Sequence, residues 1–232
     1  MFPYFFEADI TQDVAFFTMN EESRKHAVQV LRMREGETLQ ITDGKGHLYT
    51  AIIQSADKKT CQVRITETSF EEKAGRRVFI GISLLKNPGR IEWFLEKATE
   101  MGVSGIIPLL CKRTEKQHFR YDRMQHILVS AMLQSRQVWL PSLQQPTDLA
   151  TVIAQSGHTQ KLIAHCEELQ KSSIPQLKMA QDMLILIGPE GDFTPSEIEQ
   201  ALQHNFEPVS LGITRLRTET AGVVAAALLV NQ

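Results

Sequence analysis

The sequence has little that would staple, metallate or anchor a chain. Its three cysteines, Cys61, Cys111 and Cys166, lie far apart and form no CxxC pair, which excludes a disulfide framework and points to a reducing, cytoplasmic setting. The seven histidines show no HExxH and no Cys/His ligand spacing, so no metal is expected. No apolar run approaches the length of a membrane span; the longest, residues 221–230, contains Gly222. The apolar start of the chain meets Glu7 and Asp9 too soon for a signal peptide. No GxGxxG follows a predicted strand, and there is neither a Gly-Lys-Ser/Thr phosphate loop nor a Gly-x-Ser-x-Gly elbow. Internal repeats and low-complexity tracts are absent as well.

What is present is an ordinary globular composition, 42% hydrophobic and 22% charged, enough to bury a core without covalent help. The net charge of −2 hides an asymmetry: residues 76–136 carry 11 Lys+Arg against 5 Asp+Glu, whereas the segments on either side are acidic. A basic middle third reads either as a phosphate-contacting surface or as solvated helix faces.

Two rhythms follow one another along the chain. Residues 38–42 and 47–53 alternate around Asp43-Gly44-Lys45-Gly46, a hairpin signal because glycine accepts the positive φ of the turn. A turn at residues 57–59 leads to a further strand over 60–66, and one helix near residues 21–31 has Ala27, Val30 and Leu31 as its apolar stripe. Short strands at this spacing predict a small β-barrel over residues 1–70, followed by a polar linker at 71–77. From Val78 to residue 232, continuous apolar strands (78–84, 106–110, 161–165, 183–187, 208–211) alternate with helical patterns (from 91, 121–135, from 194, 219–229). That order predicts an α/β domain with a mainly parallel sheet. Thr194-Pro195-Ser196-Glu197 has the form of a capping box.

Two loops stand where chemistry is expected, at the carboxyl ends of predicted strands. The first is Gly188-Pro189-Glu190-Gly191-Asp192-Phe193. Its glycines permit close backbone approach, although a tight turn that binds nothing has the same composition. Glu190 and Asp192 would repel a polyphosphate but tolerate a cation. The second is Leu211-Gly212-Ile213-Thr214-Arg215-Leu216-Arg217-Thr218-Glu219-Thr220-Ala221. Leu211, Ile213 and Leu216 are candidates for an apolar floor. Capping by Thr218 and a favourable first-turn Glu219 account for part of the loop, but leave Arg217, a cation at a positive helix end, without a reason.

Together the two loops resemble the cofactor motifs of the SPOUT methyltransferases, and specifically the ribosomal RNA small-subunit methyltransferase E family, which methylates N3 of a uridine in 16S ribosomal RNA. Lys86, the run Lys97-Ala98-Thr99-Glu100-Met101-Gly102-Val103, Ile107-Pro108 and the N-terminal His26-Ala27-Val28-Gln29-Val30-Leu31-Arg32-Met33-Arg34 agree with that family. Two departures stand out. The family's Glu-Gln-Ser-Gly-Arg is Leu133-Gln134-Ser135-Arg136-Gln137 in this chain, and a glycine common in the family is replaced by Asp192.

The resemblance implies a PUA-like N-terminal barrel and a C-terminal domain with a deep trefoil knot, which pattern reasoning alone would not produce. It implies S-adenosylmethionine as cofactor, held at His165, Ile187, Gly188, Pro189, Gly191, Leu211, Ile213, Leu216, Thr218, Thr220 and Ala221, with Cys166 beside them. It also implies a homodimer, a substrate in the small ribosomal subunit, and no membrane or metal partner. Uridine N3 must lose a proton to become nucleophilic, so Arg217 is expected to stabilise the anion and Glu219 or Glu190 to take the proton. Phosphate contacts are expected from Arg76, Arg77, Lys86, Arg90, Lys97, Lys112, Arg113 and Lys116, with Arg32 and Arg34 from the barrel.

Overall fold

The computed structural model describes residues 2–11, 13–73, 75–115, 118–168 and 170–230; Ala74 of the expected linker and Lys116 of the expected phosphate contacts lie outside them. The chain divides into two units, Met1–Ala74 with Met132–Leu140, and Gly75–Ala131 with Pro141–Gln232.

In the first unit, β1 (Tyr4–Phe6), β2 (Phe16–Thr18), β3 (Thr38–Thr42), β4 (His47–Ala56) and β5 (Cys61–Phe70) form one sheet in the order β1-β3-β4-β5-β2. The β3–β4 pair is the hairpin that the alternation predicts. Its turn is fixed by Asp43, whose Oδ1 accepts from the amides of Lys45 (2.7 Å) and His47 (3.1 Å). Side chains two apart share a face, and Leu39, Ile41, Tyr49, Ala51, Ile53 and Val63 are buried together. The strand predicted at 60–66 is longer, ending only at Phe70. Residues Met132–Leu140 also belong to this unit. Gly46 N–H donates to the Val138 carbonyl (3.0 Å) and Leu140 N–H to the Gly44 carbonyl (2.9 Å), so the segment pairs the polar backbone of the hairpin turn.

The single helix expected at 21–31 is not regular. A four-residue turn, α1 (Glu21–Arg24), is capped by Asn20 and passes into π-helix over Lys25–Val30. The Leu31 amide reaches back five residues to the His26 carbonyl at 2.9 Å. That wider winding turns the expected stripe apart: Ala27 is buried, but Val30 is 69% and Leu31 45% exposed.

The second unit runs β6 (Arg77–Ser83), α2 (Pro88–Glu100), β7 (Gly105–Leu110), α3 (Tyr121–Gln134), β8 (Ser142–Leu143), β9 (Thr147–Asp148), α4 (Leu149–Gln155), β10 (Gln160–Ala164), β11 (Ser172–Ser173), β12 (Asp182–Ile187), α5 (Pro195–Gln203), β13 (Glu207–Ser210) and α6 (Thr218–Val230). The last residues of α3 group with the first unit. Strand order is β11-β13-β10-β12-β6-β7-β8, with β9 also beside β7, and each pairing is parallel. Both faces are covered, which is why the strands read as unbroken apolar runs. Leu184 and Leu186 pack with Leu149 and Ile153 of α4 and Ile198 and Ala201 of α5. Ile82, in register with Ile187 and so on the other face, meets α6 at Gly222. A Cβ there would lie 2.5 Å from the Phe94 ring, so glycine sets how closely α6 approaches α2. The capping box of α5 is present: Glu197 N–H donates to Thr194 Oγ1 and Thr194 N–H to Glu197 Oε2.

Candidate active site

Strands β13, β10 and β12 are neighbours and run parallel, so their carboxyl ends share one edge of the sheet. The loops leaving those ends enclose a cleft of about 940 Å³. Ligands collect at such an edge because strand-end amides, carbonyls and a following helix N-terminus converge there.

The structure brings most of the expected cofactor residues to this cleft. His165 lines it from the end of β10, Ile187, Gly188 and Pro189 from the end of β12, and Leu211, Ile213, Leu216, Thr218 and Ala221 from the segment between β13 and α6. Gly191 and Thr220 do not line it; the Gly191 carbonyl instead accepts from Arg113 Nη1 at 2.6 Å. Ile213 is not part of an apolar floor. Its side chain is fully solvent-exposed at the rim, beyond Gly212, whose φ of +149° directs the chain through a turn that few other residues adopt. Thr218 is likewise not the helix cap: the Arg217 carbonyl accepts from Ala221 N–H at 2.8 Å, placing Arg217 in the position before α6 and Thr218 inside it.

Among the expected catalytic residues, Glu190 and Arg217 line the cleft, while Glu219 lies buried behind it. Arg90 joins them. Its Nε and Nη2 donate to the two oxygens of Glu219 at 2.8 and 2.5 Å, and its Nη1 donates to Glu190 Oε1. These bonds to Glu219 and Glu190 hold the guanidinium above its usual range. Arg215 and Arg217 are exposed and have no ion-pair partner among the described residues.

Among the polar groups of the cleft, Lys171 had no sequence signal, whereas Asp192 and His165 did. Lys171 lines the cleft and donates from Nζ to the His165 carbonyl at 2.7 Å. Asp192 sits at φ +64°, where its carboxylate accepts from Cys166 N–H (2.7 Å) and from Phe193 N–H (2.8 Å), tying the loop after β12 to the loop after β10. Asp is among the few side chains that tolerate this backbone region. His165 is 7% exposed, and neither ring nitrogen has a hydrogen-bond partner among the described residues. Burial lowers its pKa, and Lys171 adds to that, against the opposing charges of Asp192 and Glu167.

The expected phosphate contacts are dispersed. In the first unit, Arg32 (φ +56°) and Arg34 are exposed. In the second, Arg77 pairs with Asp182 (3.3 Å), Lys86 with Glu115 (3.1 Å), and Lys97 with Glu96 (2.7 Å) and Glu100 (2.9 Å). Lys112 donates to Ser196 Oγ at 2.8 Å, and Arg76 is half-buried. Arg90 is engaged at the cleft itself, and Arg113 holds the backbone of the loop after β12.

A family model described as an RNA methyltransferase domain matches residues 71–230, and one described as an RNA methyltransferase PUA domain matches residues 20–66. The chain is 29% identical to a ribosomal RNA small subunit methyltransferase E of Synechocystis sp. over 92% of its own length and 72% of that protein's. It superposes with a TM-score of 0.90 on a probable rRNA-methyltransferase from Porphyromonas gingivalis, with 38% identity and coverage of 97% of this chain and 95% of that one. A ribosomal RNA small subunit methyltransferase E from Neisseria gonorrhoeae, solved bound to S-adenosyl methionine, gives a TM-score of 0.88 at 25% identity, covering 98% of this chain and 96% of that one.

Proposed function

This chain belongs to the RNA methyltransferase family, and on that premise we propose that it uses S-adenosylmethionine to methylate N3 of a specific uridine in 16S ribosomal RNA, acting on the small ribosomal subunit. The observation that carries this reading is the cleft at the ends of β13, β10 and β12, where the Gly188-Pro189-Glu190-Gly191 loop and the Leu216–Ala221 segment converge.

The cleft suits the cofactor's chemistry. Ile187, Leu211 and Leu216 offer apolar contact, and the carboxylates of Glu190 and Asp192 favour a ligand bearing a sulfonium and an ammonium over a polyphosphate. The buried nitrogens of His165, which have no partner among the described residues, are open to a hydrogen bond with a polar ligand atom. His165, Ile187, Gly188, Pro189, Leu211, Ile213, Leu216, Thr218 and Ala221 form the cofactor-binding set in this reading, with Gly191 and Thr220 adjoining it in the same two loops. When bound, S-adenosylmethionine supplies an electrophilic methyl group on a positively charged sulfur.

The protein's own residues prepare the base. Arg217, exposed at the cleft and without an ion-pair partner among the described residues, stabilises the negative charge of deprotonated N3. Both oxygens of Glu219 are taken by Arg90, whereas Oε2 of Glu190 has no partner among the described residues. This favours Glu190 over Glu219 as the proton acceptor. RNA phosphates are contacted by Arg32 and Arg34, and by Arg76, Arg77, Lys86 and Lys97 where these exchange an internal partner for phosphate.

Two further features belong to this reading. The C-terminal segment forms a trefoil knot, in keeping with the path of α6, which follows β13 near one end of the sheet yet packs on β6 and α2. The active form is a homodimer, in keeping with the half-exposed apolar stripe of α6.

The test is methyl transfer to small ribosomal subunits that lack this modification, followed by nucleoside mass spectrometry. N3-methyluridine is the expected product. A different methylated nucleoside would redirect the substrate assignment, and none at all, beside an active control enzyme, would point first to another RNA substrate and then to a non-catalytic RNA-binding protein.

A further inference from the structure

We propose that Arg90 is a positioning residue that yokes the two cofactor loops, so that the loop after β12 and the segment entering α6 are held or released together. The inference rests on the reading of the cleft as the cofactor site. Glu190 belongs to the first loop and Glu219 to the first turn of α6, far apart in sequence, and Arg90 meets both carboxylates at once.

The anchor is rigid. Arg90 stands in the first turn of α2, where Asn87 Oδ1 accepts from Gly89 N–H at 2.9 Å and Pro88 sets the backbone. One turn on, Phe94 is fully buried against Gly222 of α6. Only a planar guanidinium presents an Nε/Nη2 edge to one carboxylate and its remaining Nη1 to another; an ammonium has no such fork. The Glu219 arm is shielded, with the Arg90 side chain 22% and that of Glu219 9% exposed, so it is screened less than a surface ion pair, whereas the Glu190 arm, with Glu190 40% exposed, is the weaker of the two.

The same geometry argues against a phosphate-contacting role. Nε, Nη1 and Nη2 of Arg90 each already donate to a carboxylate, which leaves two of its five N–H bonds for an RNA phosphate and sets two carboxylates beside that phosphate to repel it. Removing the guanidinium leaves Glu219, 7% exposed, as an uncompensated buried charge in the first turn of α6 and frees Glu190 within its own loop. Both walls of the cleft then loosen, although neither contains the altered residue.

Hydrogen exchange on the ligand-free protein tests this without relying on the cofactor. In Arg90→Ala, amide protection in residues 188–193 and 211–217 falls together, by roughly tenfold. S-adenosylmethionine affinity, measured by calorimetry, falls by a similar factor, while affinity for an RNA fragment of the substrate stays near wild type. Arg90→Lys keeps the charge and can serve one carboxylate, so protection returns in one loop and not in the other. If the alanine variant does not fold, as judged by circular dichroism, the lysine variant carries the test by the same criterion. Wild-type protection in both loops, or loss of RNA affinity with cofactor affinity intact, would overturn the proposal. A wild-type protein that binds no S-adenosylmethionine would instead overturn the assignment of the cleft, leaving the exchange result to decide the yoke.

Discussion

His165 shows how a single side chain is set by its surroundings. Its imidazole is buried at the end of β10, and burial with the nearby Lys171 lowers its pKa below the ordinary 6.5. Between the lowered value and 6.5 the unfolded chain binds the proton and the folded chain does not, so stability rises with pH across that window. Its contribution is complete above 6.5 and is lost as pH falls through the folded-state value. The melting temperature should therefore decline as pH falls below 6.5, and His165→Gln should flatten that decline; an unchanged slope would assign it to other groups. Two other residues explain where the family resemblance departs. Arg136 (φ +57°) and Asp192 (φ +64°) occupy left-handed backbone positions, and both stand where the family pattern has glycine. Each is held by its side chain: Arg136 Nη2 donates to the Phe2 carbonyl at 2.8 Å, and Asp192 accepts from two amides. The sequence shows these as exceptions to a pattern, but the compensating contacts come from segments distant in the chain.

At the scale of elements, α6 shows what a pattern can and cannot convey. Beyond Glu219 and Thr220 it is almost wholly apolar, and helices of that kind are normally buried on all sides. Gly222, Ala225, Ala226 and Leu229 are buried, but Val223, Val224 and Leu228, on the other face, are only partly covered. The proposed homodimer would cover that stripe. Sedimentation velocity at micromolar concentration should give twice the 26.3 kDa chain mass, and Val224→Glu should yield monomer, because a charge in an apolar interface lacks a partner. A wild-type monomer would sink the dimer. The long periodic elements were legible: β3, β4, β6, β12, α2 and α3 lie where alternation or helical spacing puts them. The π-turn at Lys25–Val30 and the short elements β1, β2, β8, β9, α4 and β11 were not. Segments of two to seven residues span too few periods to declare themselves, and their order comes from the strands they join.

For the whole molecule, the decisive quantity is how much of its positive charge is available. The sequence concentrates Lys and Arg in residues 76–136, yet Arg77, Lys86, Arg90, Lys97 and Arg123 are each paired with an acid. Arg32, Arg34, Arg215 and Arg217 are exposed without an ion-pair partner among the described residues. RNA affinity should therefore weaken only moderately with salt. If RNA engages about four exposed cations, at roughly 0.7–0.9 per phosphate contact, a plot of log K against log salt should have a slope of about −3 to −4. A slope twice as steep would mean that the internal pairs open on binding. The sequence by itself determined the alternation of strands and helices, the capping of α5 and the two loops that bear the family's motifs, because local periodicity, turn chemistry and short motifs are written in neighbouring residues. Only the tertiary structure decided that the parallel order β13-β10-β12 gathers three loops into one cleft, that Arg90 faces two carboxylates rather than solvent, and that Ile213 stands at the rim. Those outcomes depend on strand order and on charges far apart in the chain, and no local pattern records which distant segment will lie alongside.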